Sequence, residues 1–401
     1  MTAPDALVLT GTLLTDGTTV RDGAVAVVDG RIAYAGPRAG FNADSLPGLR
    51  DLALPPGSLI LPGLVDLHCH GAVGGDFPGG DPAAARAAVD FLHRSGTTTL
   101  LASLVTAPRE DLLRSAAELK VLAEEGLIAG IHSEGPFLSH TRCGAQDPRF
   151  LLDPDLGLLG ELAVAASGHL RTMTYAPELP GADGLVDGLV SRGVTPSLGH
   201  TDADTRTTAD SLTRAADLLA SSGTQGLRPT VTHLFNGMPP LHHRSPGPVA
   251  ACLRLAAAGR VAVELVADGV HLDPETVRMV FALAGAGNVA LVTDSMAATG
   301  LPDGDYDLGP AAVRVAAGEA RLRSNGSLAG GTATLLDVVR RTIAAGVDAA
   351  EAVLSATAVP AAALGLGAEV GSLRTGLRAD VVVVDAAFNP TLVVRGGRVL
   401  A

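Results

Sequence analysis

Through the middle of this chain, eight apolar, strand-like segments alternate with alanine- and leucine-rich helical stretches. The segments are LILPGLVDL, TTTLLASLV, LIAGIHSE, LRTMTYAP, GVTPSLGH, PTVTHLF, RVAVELVADGV and NVALVTD. Stretches such as DPAAARAAVDFLHRSG and PREDLLRSAAELKVLAEEG lie between them. Eight strand–helix units in succession predict an α/β fold built on a (β/α)8 TIM-type barrel. A doubly wound sheet is the alternative, but no dinucleotide-type glycine fingerprint follows the first strand.

The two ends of the chain have a different texture. ALVLTGTLLT, GAVAVVDGRIAYAG and SLPGLRDLALPPG read as short strands with Asp-Gly turns, and GSLRTGLRADVVVVDAAFNPTLVVRGGRVLA reads the same way. The expected division is residues 1–58 and 369–401 as the two parts of a small β-sandwich, with the barrel over 59–368.

At 47% hydrophobic and 18% charged the chain can bury a large core. Its net charge of −13 argues against a nucleic acid or an anionic membrane as partner. It leaves room for a small anionic substrate, which a local site would meet. Three cysteines are too few for a disulfide framework. The start, MTAPDALVLTG, has no basic segment followed by an apolar core. No apolar run reaches the ~18 residues of a membrane span. A cytoplasmic protein is expected.

Titratable residues collect at the ends of the strand segments. His68 and His70 end the first, and their i, i+2 spacing sends both rings to one side with Cys69 facing away. His132 and Glu134 end the third, His200 the fifth and His233 the sixth. His271 follows the seventh and Asp294 ends the eighth. In a barrel these positions share the catalytic rim. His68, His70, His200 and His233 offer neutral nitrogen donors, and Glu134 and Asp294 offer carboxylates. Such a set suits a divalent metal, with zinc first and iron, cobalt or manganese also compatible. A metal lowers the pKa of bound water toward ~7. Asp294, the acid at the eighth strand end, fits the proton carrier, and a neutral His271 fits a group that polarises a carbonyl. His132 reads as a packed histidine.

The segments LPGLVDLHCHG, HSEGPFL, SLGHTDA, THLFNGMPPLHHR, ADGVH, TDSMAATG and GSLAGGT run in order from residue 61 to 332. Together they resemble the amidohydrolase superfamily and, within it, the N-acetylglucosamine-6-phosphate deacetylase family. The resemblance implies that Glu134, His200 and His233 hold one metal. His68 and His70 would build a second site, with Glu134 bridging and Asp294 close by, so one or two metals per subunit are expected. It further implies that Asn236, the backbone of Gly237 and Arg244 bind the substrate phosphate. Arg244 would do so from the neighbouring subunit of a homodimer. Leu328 would touch the acetyl methyl. Lys120, the sole lysine, lies in a helical stretch, which argues against the superfamily branches that bridge metals with a carboxylated lysine.

The chain departs from the pattern in RCGAQDP. Cys143 stands where the family usually has lysine, and Gln146 where it has a histidine expected to contact the sugar. Gln146 keeps hydrogen bonding but carries no charge, and Cys143 is expected as a loop contact. Gly237 replaces a common alanine, expected to be a mild change. An N-acetylgalactosamine 6-phosphate deacetylase therefore remains an alternative. A D-aminoacylase or a deaminase would have no need of Asn236 and Arg244. A catalytically silent scaffold would have no need of the retained metal-type residues.

Overall fold

A computed structural model describes residues 6–46, 48–223 and 227–400. The reading of the chain's start falls partly on residues 1–5, and the SLPGLRDLALPPG segment includes residue 47; both lie partly outside the described residues.

Eight parallel strands form the barrel: β1 (Leu64–Asp66), β2 (Thr97–Leu104), β3 (Gly130–Glu134), β4 (Leu170–Tyr175), β5 (Thr195–Leu198), β6 (Thr230–Val231), β7 (Ala262–Leu265) and β8 (Val289–Leu291). Each pairs with its neighbour in sequence order. All eight lie within the segments expected to be strands. The seam between β8 and β1 closes through Asp294 N–H donating to the His68 carbonyl at 2.9 Å and a parallel bridge of Cys69 with Ser295. Asp66 staples this seam. Its carboxylate accepts from Thr293 Oγ1 at 2.6 Å and from His68 N–H at 3.2 Å. Burial pushes the Asp66 carboxyl up to about 6, and the Thr293 hydroxyl opposes that rise. The residues that close the barrel are thus neighbours of those that carry the site.

Local signals explain the surrounding helices. Pro82–Arg94 starts where Asp81 accepts from the N–H groups of Ala83 and Ala84, with proline in the first turn. Its Ala85, Ala88, Val89 and Leu92 recur at helical spacing and are buried against the barrel. Truncating fully buried Leu92 to alanine would cost about 2–5 kcal/mol. Leu335–Ala344 begins with a reciprocal capping box between Thr334 and Asp337.

Both chain ends enter one further sheet, ordered Arg398–Leu400, Pro390–Arg395, Val381–Val384, Leu59–Pro62, Leu7–Thr15, Thr18–Val28, Arg31–Pro37. Strand alternation divides its valines between two cores. Val381 and Val383 join Ile60, Leu9 and Val25 in the sandwich, while Val382 and Val384 join Leu61 against the barrel.

The structure differs from the sequence reading in three places. LILPGLVDL is two strands rather than one: Leu59–Pro62 pairs antiparallel with Val381–Val384, and only Leu64–Asp66 enters the barrel. The break falls at Gly63, where a Cβ would lie 2.1 Å from Thr98 Oγ1. Among the described residues of SLPGLRDLALPPG only Arg50–Asp51 is a strand, and Pro55 and Pro56 cannot donate to a ladder. An unforeseen three-stranded antiparallel sheet, Gly304–Leu308, Ala311–Ala316 and Glu319–Leu322, follows β8. Its alternation is legible in AAVRVA, where Val313 and Val315 are buried over Met296 and Ala298. Because it leaves the carboxyl end of β8, this sheet stands over the rim.

Candidate active site

The strand ends deliver the site residues as follows. His68 and His70 leave β1 with their Nε2 atoms 2.9 Å apart. Cys69 turns away, its thiol 3.1 Å from Ser295 Oγ. Glu134 is the last residue of β3. His200, His233 and Asp294 lie just past β5, β6 and β8 and have φ of 47°, 27° and 47°. Left-handed backbone is unusual for residues with a Cβ and is kept where the surroundings enforce it. Here it turns each side chain inward as the chain leaves its strand.

The six residues form two adjoining cages that share Glu134. On one side Glu134 Oε1 lies 2.9 Å from His200 Nε2 and 2.8 Å from His233 Nε2. On the other, Glu134 Oε2 is 3.6 Å from His68 Nε2 and 3.3 Å from His70 Nε2. Asp294 Oδ1 completes that cage at 3.4 Å and 3.2 Å from the same two nitrogens. A tetrahedral ion with bonds of ~2.0–2.2 Å has ligand–ligand edges of roughly 3.3–3.6 Å. The carboxylate-to-imidazole edges of the second cage, 3.2 to 3.6 Å, are close to that range, and its His68–His70 edge of 2.9 Å is shorter. Two overlapping groups meet the geometry of a metal site, His68–Glu134–His233 and His68–His70–Asp294.

Proton placement leads to the same conclusion. His70 Nδ1 faces the Ser103 carbonyl at 3.2 Å, and His200 Nδ1 faces the Arg142 carbonyl at 2.7 Å. A carbonyl only accepts, so both Nδ1 atoms carry the hydrogen. Their Nε2 lone pairs then point at carboxylate oxygens, which is favourable only with a cation or a proton between them. Burial works against charge on His70, yet its hydrogen bonds to Asp294 and Glu134 hold its pKa up at about 9. Burial likewise opposes charge on Glu134 and Asp294, but the imidazoles hold both carboxyls below the usual carboxylate range. The pocket is built for positive charge, and its donor set fits a divalent metal.

His271 stands at the edge of this pocket. Its Nδ1–H donates to Asp268 at 2.9 Å, leaving Nε2 3.8 Å from Asp294 Oδ2. Asp268 also accepts from the His271 and Val270 N–H groups. Sequence reading passed over Asp268, although its i, i+3 spacing to His271 in ADGVH was visible. His132 lies beneath the cages, between Ser103 Oγ at 2.9 Å and Thr174 Oγ1 at 2.8 Å. Burial and the nearby His68 push its pKa well down, so it stays neutral.

A cavity of about 260 Å³ opens above the cages. His70, His271, Asp294, Asn236, Gly237 and Leu328 line it, joined by Leu308 and Ser327, which the sequence reading did not single out. The unforeseen sheet brings Leu308 to this wall. Gln146 also lines the cavity, but its side chain is engaged: Nε2 donates to Glu134 Oε2 at 2.6 Å and Oε1 accepts from Thr106 N–H at 2.7 Å. Gly237 has φ of 62°, and a Cβ there would lie 2.7 Å from His200 Nδ1. Alanine at this position is therefore no mild change, because it would press on the His200 ring.

Two expected residues lie off the cavity. Arg244 is exposed, with its guanidinium 2.8 Å from His243 Nε2. Cys143 lines an adjoining hollow with Pro310, Leu322 and Arg323. Lys120 lies on the helix Arg109–Glu124, away from the strand ends.

Known proteins share this plan. The model of the amidohydrolase family matches residues 59–400. The N-acetylglucosamine-6-phosphate deacetylase of Bacillus subtilis (strain 168) is 31% identical over 398 residues, covering 96% of this chain and 95% of the relative. The N-acetylgalactosamine-6-phosphate deacetylase of Escherichia coli O157:H7 is 32% identical, over 82% of this chain and 85% of its own length. Among solved structures, a mutant N-acetyl-D-glucosamine-6-phosphate deacetylase from Mycobacterium smegmatis, in complex with N-acetyl-D-glucosamine-6-phosphate, superposes with a TM-score of 0.86. It is 38% identical, and the match covers 98% of this chain and 99% of that one. Given this match and the paired cages at the barrel rim, the chain belongs to the amidohydrolase family.

Proposed function

We propose that this protein hydrolyses the acetamide of N-acetylglucosamine 6-phosphate to acetate and glucosamine 6-phosphate. The observation that carries the reading is the pair of cages around Glu134, opening with Asp294 and His271 into one small cavity. The match to the substrate-bound mycobacterial structure supplies the substrate class.

A divalent metal, when bound by His68, His70, Glu134, His200, His233 and Asp294, supplies Lewis acidity and hydroxide at neutral pH. The chain's own groups do the rest. Asp294 takes the proton of the attacking water as its oxygen bonds to the carbonyl carbon. It then passes the proton to the departing nitrogen as the C–N bond breaks. Burial opposes charge on His271, but the Asp268 carboxylate raises its pKa and holds it through Nδ1–H. In its protonated rather than neutral form, His271 donates from Nε2 toward the oxygen that gains negative charge. Asn236 and the Gly237 N–H bind the phosphate, with Arg244 contributed by a second copy in a homodimer. Leu328 packs on the acetyl methyl. Gln146 faces the sugar side, with its amide turned from Glu134 toward a hydroxyl, and Cys143 lines the adjoining hollow. We propose zinc as the resident ion and the cytoplasm as the site of action. Among the described residues no helix is long and apolar enough to cross a membrane.

Acetate release tests the reading, using metal-replete and chelated protein. The substrates are N-acetylglucosamine 6-phosphate, its galactosamine epimer and the unphosphorylated sugar. Fast, chelator-sensitive turnover of the glucosamine phosphate alone is expected. Preference for the epimer would support the second reading, which the Escherichia coli relative and Gln146 keep in view. No release from any of them by metal-loaded protein would overturn the reading.

A further inference from the structure

One buried carboxylate beside the cages has no role so far. Glu264, on β7, is 4% exposed, and its Oε2 lies 3.6 Å from His68 Nδ1. The same oxygen faces the His233 N–H at 3.4 Å. Among the described residues, His68 is the charge-bearing partner this carboxylate has within ion-pair distance. A carboxyl group buried this deeply is stabilised by each further donor that reaches it. His68 Nδ1 is in turn fully buried and has no hydrogen-bond partner within normal reach. An approach of about half an ångström, within ordinary side-chain motion, joins the two.

The other ring nitrogens make His68 distinctive. His70 and His200 rest their Nδ1–H groups on backbone carbonyls, and His233 Nδ1 has no partner. A carboxylate acceptor fixes the tautomer more firmly than a carbonyl and makes the opposite nitrogen a stronger donor. His68 Nε2 is that opposite nitrogen, and it points into the cage completed by His70, Asp294 and Glu134.

We infer that Glu264 is a positioning residue that orients His68 and sets chiefly the metal affinity of the His68–His70–Asp294 cage. Its contact with the other cage runs through the His233 backbone N–H, from which the amide oxygen in Glu264→Gln still accepts. The inference rests on the reading that these cages hold divalent metal. It makes no claim about the substrate.

The test is stepwise zinc binding to the full-length protein, measured in metal buffers by elemental analysis and repeated with cobalt by its visible absorption. The unmodified protein should take up two ions per subunit in two steps, the first in the Glu134–His200–His233 cage and the second in the His68–His70–Asp294 cage. Glu264→Gln keeps the shape and removes the charge. It should weaken the second step by about 10–100-fold and leave the first in place. kcat should fall at limiting metal with KM unchanged, and excess metal should restore it. Glu264→Asp, a methylene shorter, withdraws the carboxylate from both His68 Nδ1 and the His233 N–H; it should still weaken the second step more than the first and serves if the glutamine variant does not fold. Equal weakening of both steps, no change in either, or failure of excess metal to restore kcat would each overturn the inference. Metal uptake is read without substrate. Two-step binding without acetate release would therefore refute the proposed reaction alone, and a variant that binds like the parent would refute the role of Glu264 alone.

Discussion

Both ends of the barrel bury charge, and they resolve it in opposite ways. At the amino-terminal end, Asp380 accepts from Thr98 Oγ1 at 3.1 Å, from the Gly396 N–H at 2.8 Å and from the Arg378 guanidinium. Arg378 and Arg395 spend their other donors on Thr99 Oγ1 and the Thr98 carbonyl. The groups left over there, Thr97 Oγ1 and His93 Nε2, belong to neutral side chains. At the carboxyl rim, by contrast, acceptors face acceptors around Glu134, and three of the residues sit on left-handed backbone. Satisfied charge is what a stable joint between barrel and sandwich requires. Unsatisfied charge of one sign is what a cation-binding, catalytic rim requires. Substitutions at the rim should therefore cost activity more than stability, and those at the other end the reverse.

The largest expected effect tests the rim. Asp294→Asn keeps the volume and removes the base. kcat should fall about 10³-fold or more with substrate binding largely kept. The melting temperature should change little beside that loss of activity. Near-parent kcat in single-turnover assays would remove Asp294 from the mechanism. The mirror experiment is Asp380→Ala, which strips the acceptor from Thr98, Gly396 and Arg378 at once. Unfolding free energy should drop by about 2–4 kcal/mol in urea titrations, with kcat/KM unchanged in the folded protein. A loss of activity at intact stability would erase the distinction between the two ends.

The amino-terminal end also carries a pH signature. Burial, then the positive charges of Arg395 and Arg378, push the His93 pKa down to about 3. The unfolded imidazole binds its proton near 6.5. Above that pH neither state is charged and His93 contributes no dependence. As pH falls from about 6.5 to about 3 the unfolded chain takes up a proton that the folded one refuses, so stability declines by about 1.4 kcal/mol per unit. At pH 5 this amounts to about 2 kcal/mol. His93→Phe should flatten that part of the stability profile and leave stability at pH 8 nearly unchanged. Parallel profiles for variant and parent would contradict the assignment.

The same contrast explains what was legible in the chain. The residues that meet at the rim were readable because titratable types recur at the strand ends and strand geometry restricts their spacing, as with His68 and His70. The eight strands were readable because each is a short apolar run with a helix behind it. Glu264 and Asp268 were not singled out, since their work is done through His68 and His271 and one-dimensional spacing gives such partners little weight. The sheet Gly304–Leu308, Ala311–Ala316 and Glu319–Leu322 was passed over because its alternating valines and arginines carry little apolar signal beside the barrel strands. The break of LILPGLVDL at Gly63 depends on Thr98, a residue distant in sequence. Gln146 shows the same limit, for its hold on Glu134 exists only once the loop folds back over β3.

The smallest expected effect concerns whether the rim is complete within one copy. Among the described residues the cavity's lining carries no arginine, and Arg244 is exposed beside His243. Arg244→Ala should raise KM for the sugar phosphate about tenfold with kcat nearly unchanged, the scale of one charge-assisted hydrogen bond to phosphate. Mixed dimers decide which copy it serves. A subunit with Asp294→Asn still presents Arg244, and a subunit with Arg244→Ala still has its catalytic carboxylate. If the arginine acts across the dimer, a dimer of one of each contains a single complete site and turns over at the parent's KM. If Arg244 acts within its own chain, that dimer keeps the raised KM of the Arg244→Ala protein.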